Sequence, residues 1–168
     1  RFGYGIGEIG DINADSYPDL LFGSRWTNTS WIIWGRPDMN CTLSQKYGFP
    51  ISQQGDFGYM HQLSSNGPGK SDISGDKIDD VVIGAPSYGT GGAAFVIFGH
   101  AGDVSHQSWP RPIGEMLSSH LGFMITTSKQ SSKLGQSCGI IGDVNGDGIS
   151  EISVMAGTAE TTSDNAYL

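Results

Sequence analysis

The sequence predicts an all-β chain in which about three blades, each of four short antiparallel strands, form a partial β-propeller. Three observations support this prediction. An acidic loop of one spacing starts at residues 11, 72 and 143, and such internal repetition indicates a repeat architecture. Apolar β-forming residues alternate with polar ones after the loops. No helical periodicity persists over ten residues, and the one short candidate is residues 113–122.

Each repeat can be followed from strand to strand in chain order. An aromatic or apolar residue and a glycine precede the acidic loop: Phe2-Gly3, Phe57-Gly58 and Leu134-Gly135. Two apolar strands are expected after each acidic loop. The second of them covers residues 30–35 in the first repeat, 93–99 in the second and the truncated 165–168 in the third. A closing strand of the form Gly-Phe-x-Ile lies at 48–52 and 122–126. We therefore expect one domain over residues 1–168, with blades at about 2–52, 57–126 and 134–168, the last of them incomplete.

The three acidic loops have the oxygen-ligand spacing of a calcium-binding loop. We name them loop 1 (residues 11–19), loop 2 (72–80) and loop 3 (143–151). Positions 1, 3, 5 and 9 offer side-chain oxygens and position 7 a backbone carbonyl, which suits one hard cation. The predicted ligands are Asp11, Asn13, Asp15, Tyr17 and Asp19; Asp72, Ser74, Asp76, Ile78 and Asp80; and Asp143, Asn145, Asp147, Ile149 and Glu151. Up to three Ca²⁺ ions are expected, and the alternative is three solvated acidic turns.

Position 12 separates these loops from the helix-flanked type, which requires a bidentate Glu there. The residues at that position are Phe22, Ile83 and Val154, which cannot bind metal and suit a buried strand. Each loop is therefore expected to lead into a strand. Ser74 is a weaker ligand than Asn or Asp, so loop 2 offers the weakest of the three sites.

These motifs resemble the FG-GAP repeats of integrin α-subunit propellers and of related bacterial and protist surface proteins. The middle repeat carries both halves of the motif, at Phe57-Gly58 and Gly84-Ala85-Pro86, and residues 122–148 resemble the same repeat. The outer repeats depart from it, with Gly23-Ser24-Arg25 and Met155-Ala156-Gly157 in place of Gly-Ala-Pro. The likeness covers essentially the whole chain.

The resemblance implies a calcium-stabilised extracellular segment for adhesion or ligand binding at the cell surface. The loops would lie on one face, and the ligand surface would be built on the other from residues 25–30, 87–92 and 158–165. Trp26 and Tyr88 are the candidate ligand contacts within it. The expected partner is a protein or glycan ligand at the cell surface.

Three blades cannot close a ring, because propellers typically need four to eight. We therefore expect a segment of a larger propeller of six or seven blades; the alternative is that further copies assemble into a ring or filament. A structural building block of a surface filament or coat is accordingly the second functional reading. The third is the propeller of a calcium-dependent hydrolase or lyase. The four histidines show neither metal-ligand nor triad spacing, so no catalytic residue and no enzyme are predicted.

The acidity of the chain is concentrated in its predicted metal sites. The net charge is −8, and nine of the 17 acidic residues are predicted ligands. Three divalent cations would add six charges and leave about −2. Nucleic-acid binding is not expected, because it requires basic patches. No apolar run is long enough to span a membrane within this segment.

Two sequence features favour the secretory pathway. Asn28 and Asn40 lie in glycosylation sequons, and even weak calcium loops fill where calcium is plentiful, outside the cell or in the secretory lumen. The two cysteines, Cys41 and Cys138, fall in the first and third repeats and are not expected to pair. Cys138, beside small residues, is expected to be a buried thiol.

Overall fold

The computed structural model describes residues 5–24, 29–37, 48–52, 69–102, 113–157 and 165–167. Its strands in chain order are β1 Gly5–Gly10, β2 Asp19–Ser24, β3 Thr29–Ile33, β4 Gly48–Ser52, β5 Val81–Ala85, β6 Ala93–Ile97, β7 Gly122–Thr126, β8 Leu134–Gly142, β9 Glu151–Ala156 and β10 Asn165–Tyr167. One helix occurs in these ranges, α1 at Ile113–Ser118, inside the predicted short candidate. The chain is all-β, as predicted.

The strands form three antiparallel sheets. Sheet 1 has the order β1-β2-β3-β4, sheet 2 the order β5-β6-β7, and sheet 3 the order β10-β9-β8. Loop 1 leads from β1 into β2, loop 3 from β8 into β9, and loop 2 into β5. All three loops therefore run into strands, which confirms the interpretation of position 12. The predicted motifs Phe2-Gly3 and Phe57-Gly58 lie outside the described residues.

Sheet 2 is covered on both faces, which explains why every residue of β5 and β6 is buried. Successive side chains of a strand point to opposite faces. Val81 and Ile83 accordingly share one hydrophobic cluster with residues of sheet 1 such as Leu21. Val82 belongs to a second cluster with residues of sheet 3 such as Val154. The three sheets therefore stack in order with sheet 2 in the middle, an arrangement that fits a β-propeller segment.

The backbones of sheets 2 and 3 touch where two motif glycines lie. A side chain on Gly84 would collide with the carbonyl of Gly135, and one on Gly135 would collide with the carbonyl of Ala93. Gly135 also has a φ of +82°, which glycine adopts without a steric penalty. A parallel bridge between Gly92 and Leu134 lies beside this contact. Glycine at these positions is what permits the close approach of the two sheets.

Cys138 lies in the second cluster as a buried thiol, as predicted. Its burial raises the pKa of the thiol to about 12, so it behaves as a small apolar side chain. Cys41 lies outside the described residues. In the part of the chain that the structure describes, no helix has the length and apolar character to span a membrane.

Candidate metal loops

The first residue of each loop holds the turn closed. In loop 1, Asp11 Oδ1 accepts a hydrogen bond from the backbone N–H of Asp15 (3.0 Å), and Oδ2 accepts one from Ser16 (2.7 Å). Similar pairs occur in the other loops, from Gly75 (2.6 Å) and Lys77 (2.8 Å) to Asp72 and from Gly146 (2.7 Å) and Gly148 (2.8 Å) to Asp143. A carboxylate offers about four lone-pair sites, so these oxygens retain capacity for a cation.

Positions 4 and 6 adopt left-handed backbone in all three loops. The pairs are Ala14 (φ 59°) and Ser16 (φ 74°), Gly75 (φ 82°) and Lys77 (φ 73°), and Gly146 (φ 81°) and Gly148 (φ 91°). Residues other than glycine rarely adopt this region, and strained backbone clusters at functional sites. The loops therefore share one backbone conformation, although only loop 3 has glycine at both positions.

The fifth residue orders the second half of each turn. Its Oδ1 accepts the backbone N–H of position 7, from Tyr17 to Asp15 (2.8 Å), from Ile78 to Asp76 (2.9 Å) and from Ile149 to Asp147 (2.8 Å). In loops 1 and 3 the asparagine at position 3 also donates to this carboxylate, at 3.0 Å in each case. In loop 2, Ser74 Oγ donates instead to Asp72 Oδ1 at 3.3 Å. The link from position 5 to position 7 thus recurs in all three loops, whereas the bond made by position 3 differs in loop 2.

The ninth residue is buried in loops 1 and 2. Asp19 accepts the N–H groups of Gly35 (2.8 Å) and Ile12 (3.1 Å). Asp80 accepts those of Gly99 (2.8 Å) and Ile73 (2.6 Å) in the same way. Burial raises the pKa of Asp19 to about 8 and that of Asp80 to about 7, because the charged form loses its hydration. A cation in either loop would therefore compete with a proton for this oxygen ligand.

Loop 3 brings its carboxylates together at the surface. Oxygens of Asp143, Asp147 and Glu151 all lie within 4.8 Å of one another, and no other three acidic, histidine or cysteine side chains among the described residues converge this closely. Asn145 Nδ2 donates to Glu151 Oε1 at 2.7 Å. Backbone hydrogen bonds, that of Gly148 first, lower the pKa of Asp143. These hydrogen bonds favour the charged form of Asp143, which lies beside two further carboxylates.

The donor set fits a hard divalent cation. Carboxylate, amide and carbonyl oxygens are the ligands that Ca²⁺ prefers, and three converging carboxylates repel one another until a cation neutralises them. Loop 3 assembles three of its predicted acidic ligands in this way. In loops 1 and 2 the carboxylates at position 9 bind glycine N–H groups within the fold. Calcium binding by each of the three loops stays a prediction.

The predicted ligand-binding residues lie in different surroundings. Tyr88 is partly buried, with its ring edge-on to Phe95 at a centroid distance of 5.4 Å and an interplanar angle of 84°. Its connection, residues 87–92, follows β5 at the end opposite loop 2. Tyr88 therefore packs against the core, and its ligand contact stays a prediction. Trp26, Asn28 and Asn40 lie outside the described residues.

Two features were missed by sequence reasoning. Gly35 and Gly99, which hold the buried carboxylates at position 9, could have been found because each ends an equivalent apolar run in the sequence, at residues 31–35 and 95–99. The second missed feature is the run Gly-Gln-Ser-Cys-Gly at residues 135–139, which matches the Gly-x-Ser-x-Gly sequence motif of a nucleophile elbow. That elbow requires a sharp turn from a strand into a helix. Here the run lies inside β8, which loop 3 connects to β9, so it lacks the geometry of a catalytic serine.

Comparison with known proteins gives two partial similarities, and no family model matches the chain. The chain is 30% identical over 89 residues to integrin alpha-PS5 of Drosophila melanogaster, and 33% identical over 93 residues to integrin alpha-PS3 of the same species. The alignments cover 51% and 52% of this chain but 9% and 8% of those proteins. The chain thus spans less than a tenth of the length of either relative. The similarities indicate an integrin-like domain of the FG-GAP type.

Proposed function

We propose that the chain is a calcium-stabilised, extracellular β-propeller segment that serves adhesion or ligand binding at the cell surface. The observation that carries the proposal is the convergence of Asp143, Asp147 and Glu151 in a loop whose backbone conformation recurs twice more. The similarity to two integrin alpha subunits supports the surface function and a role without catalysis.

Calcium would act by neutralising and joining groups that otherwise repel. In each loop, the side chains at positions 1, 3, 5 and 9 and the carbonyl at position 7 would hold one ion. The ion would fasten the end of one strand to the start of the next, so its binding free energy would add to that of folding. At a free Ca²⁺ concentration of about 100 Kd, each site would add about 2.7 kcal/mol.

Calorimetric titration tests the metal proposal directly. Wild-type protein, stripped of metal and titrated with CaCl₂, is expected to give saturable binding with up to three ions. Asp147→Asn is expected to remove the loop 3 site. Glu115→Gln, in the exposed part of α1, removes one negative charge away from the loops and serves as the matched control. Absence of binding heat in the wild type, together with a melting temperature that Ca²⁺ leaves unchanged, would overturn the metal proposal.

The surface function has its own test. The calcium-loaded protein is applied to an array of glycans and to immobilised extracellular-matrix proteins, with the chelated protein as the control. Saturable, calcium-dependent binding to one of these surfaces supports adhesion or ligand binding. A building block of a filament is instead expected to bind none of them and to sediment as an assembly.

Glycosylation at the two sequons tests the proposed extracellular location. After expression through a eukaryotic secretory pathway, glycosylation at Asn28 and Asn40 would give a mass that falls on treatment with peptide N-glycosidase. Asn28→Gln and Asn40→Gln assign the loss to each site. A secreted protein of unmodified mass would contradict the assignment of these sequons.

A further inference from the structure

Asp79 is a buried carboxylate of loop 2 that lies outside the predicted ligand set. It occupies position 8 and is 1% exposed. Its Oδ1 accepts the N–H of Ser71 (2.9 Å), and its Oδ2 accepts the N–H groups of Gly69 (2.9 Å) and Asp11 (2.9 Å). Asp11 is the first residue of loop 1 and lies 68 positions earlier in the chain. Asp79 therefore joins two metal loops that belong to different sheets.

A related contact joins loop 3 to loop 2. Position 8 of loop 3 is Ser150, which is 8% exposed. Its N–H donates to the carbonyl of Asp72, the first residue of loop 2, at 2.7 Å. The N–H of Asp79 points in the same way to the carbonyl of Asp11, at 3.4 Å. Position 8 of each of these loops therefore touches position 1 of the loop before it.

The surroundings of Asp79 are built around this contact. A side chain on Gly10, which precedes Asp11, would overlap the Asp79 carboxylate. A second contact comes from the segment after β6, where the N–H of His100 donates to the carbonyl of Ile12 at 3.0 Å. The repeat that contains sheet 2 thus covers the start of loop 1 through Asp79 and His100, of which Asp79 supplies a carboxylate to the backbone N–H of Asp11.

Position 8 is also placed to sense an ion in its own loop. It lies between two predicted ligands, the carbonyl of position 7 and the carboxylate of position 9, which in loop 2 are Ile78 and Asp80. An ion that fixes both neighbours also fixes Asp79. Asp79 in turn holds the backbone N–H of Asp11, whose carboxylate closes loop 1.

We propose that Asp79 is a positioning residue that couples the two metal loops it joins, so that an ion in loop 2 raises the metal affinity of loop 1. The inference rests on the proposed calcium binding. Ser150 provides the corresponding backbone link from loop 3 to loop 2. Coupling between two binding sites is reciprocal, so an ion in loop 1 raises the affinity of loop 2 by the same factor. Pro18, at position 8 of loop 1, has no N–H and cannot make the backbone link.

Terbium luminescence gives a readout for loop 1. Loop 1 has Tyr17 at position 7, where the other two loops have isoleucine. Tyr17 is 42% exposed and is placed to sensitise Tb³⁺ in its own loop. The part of the Tb³⁺ signal that Tyr17→Phe removes is assigned to loop 1. Titration of Tb³⁺ alone then gives the affinity of that loop.

A cycle of two variants measures the coupling. Asp76→Asn weakens the loop 2 site through an exposed ligand that does not contact loop 1 in the hydrogen bonds above. In the wild type, it is expected to lower the Tb³⁺ affinity of loop 1 by about fivefold or more. In an Asp79→Asn background, the same change is expected to alter that affinity by less than about twofold. An equal loss in both backgrounds, or no loss in the wild type, would overturn the inference.

Two controls keep the result interpretable. If Asp79→Asn does not fold, Asp79→Ser takes its place, because serine is the residue that loop 3 itself carries at position 8. If the wild type binds neither Ca²⁺ nor Tb³⁺, the proposed calcium function fails. If it binds them with a loop 1 affinity that Asp76→Asn leaves unchanged, calcium binding stands and the coupling alone is overturned.

Discussion

Loops 1 and 3 share their ligand spacing and backbone conformation, but they hold their ninth residue in opposite surroundings. Asp19 of loop 1 is fully buried, and its pKa is raised to about 8. Glu151 of loop 3 is partly exposed and lies in a cluster of converging carboxylates. One sequence pattern therefore produces two kinds of site, one in which metal must displace a proton from a buried carboxyl and one in which three carboxylates converge at the surface.

The difference follows from what covers each loop. Loop 1 is covered by Asp79 and His100 of the next repeat. Loop 2 is covered by Ser150 in the same manner. Among the described residues, no later sheet packs over loop 3, and its hydrophobic residues Val144 and Ile149 are 66% and 41% exposed. In this comparison, the two loops that a succeeding repeat covers are the two whose ninth residue is desolvated.

Removal of calcium is expected to have the largest effect. Three sites at about 100 Kd would together contribute about 8 kcal/mol, and each kcal/mol shifts the melting temperature of a chain of this size by about 2–4 °C. EDTA is therefore expected to lower the melting temperature by more than about 10 °C in scanning calorimetry. Asp15→Asn and Asp147→Asn, each with calcium present, separate the shares of loops 1 and 3. A melting temperature that EDTA does not alter would contradict calcium binding by loops 1 and 3.

The pH dependence of stability sharpens the comparison. In the metal-free protein, Asp19 and Asp80 keep a proton up to about pH 8 and about pH 7, whereas both lose it near 3.8 when unfolded. The folded state then binds more protons between these values, so this contribution to stability is complete below about pH 4 and is lost as the pH rises to about 8. Each unit of raised pKa corresponds to about 1.4 kcal/mol. Urea unfolding in EDTA from pH 5 to pH 8 measures the loss.

Calcium binding to loops 1 and 2 should oppose the loss of stability that rising pH causes through Asp19 and Asp80. Loop 3 has no such buried carboxyl, so no effect of this kind is expected there. Calcium binding to loops 1 and 2 must release the protons of Asp19 and Asp80 near neutral pH. The binding heats measured by calorimetry in buffers of different ionisation enthalpy should therefore differ. A variant with Asp15→Asn and Asp76→Asn, which keeps only loop 3 intact, should show no such dependence. Equal proton release from that variant and the wild type would contradict the distinction between the loops.

Truncation of the ninth residue should destabilise the two loops unequally even without metal. Asp19→Ala leaves the N–H groups of Gly35 and Ile12 without their acceptor, and each buried unsatisfied group costs about 1–3 kcal/mol. Glu151→Ala in loop 3 removes a partly exposed side chain and is expected to cost less than about 1 kcal/mol. Urea unfolding in EDTA at pH 6 compares the variants. Similar losses in both would show that burial does not separate these positions.

Local hydrogen bonds explain how much of the site could be predicted from sequence. The first and fifth carboxylates bind N–H groups within five positions of themselves, so the ligand spacing carries that information. The fold class and the run from each loop into a strand were predictable for the same reason, since alternation is a local pattern. The left-handed backbone at Ala14 and Lys77 could not be predicted, because glycine is the residue that usually indicates this conformation.

Contacts between residues far apart in the sequence explain what could not be predicted. The N–H that caps Asp19 comes from Gly35, 16 positions later, and the acceptor of the Asp11 N–H lies 68 positions away. No spacing rule places a carboxylate at such distances. The burial of Tyr88 against Phe95 is likewise set by the stacking of sheets. Sequence thus predicted the spacing of each loop and the strand that follows it, but not the contacts that bury the ninth residue of loops 1 and 2.

The contact that holds sheets 2 and 3 together provides the last and smallest test. Gly84→Ala would place a methyl group against the backbone carbonyl of Gly135, which cannot rotate away, and such overpacking costs about 1–3 kcal/mol. Gly139→Ala in β8 is the matched control, because nothing lies within 4 Å of the added carbon; it is expected to change stability by less than about 0.5 kcal/mol. If close stacking sets the cover of loop 2, Gly84→Ala should also lower the pKa of Asp80 towards that of an exposed carboxylate, whereas Gly139→Ala should not. Carboxyl NMR titration in EDTA measures that pKa, and an unchanged value in a destabilised Gly84→Ala protein would show that Asp80 is desolvated by its own sheet alone.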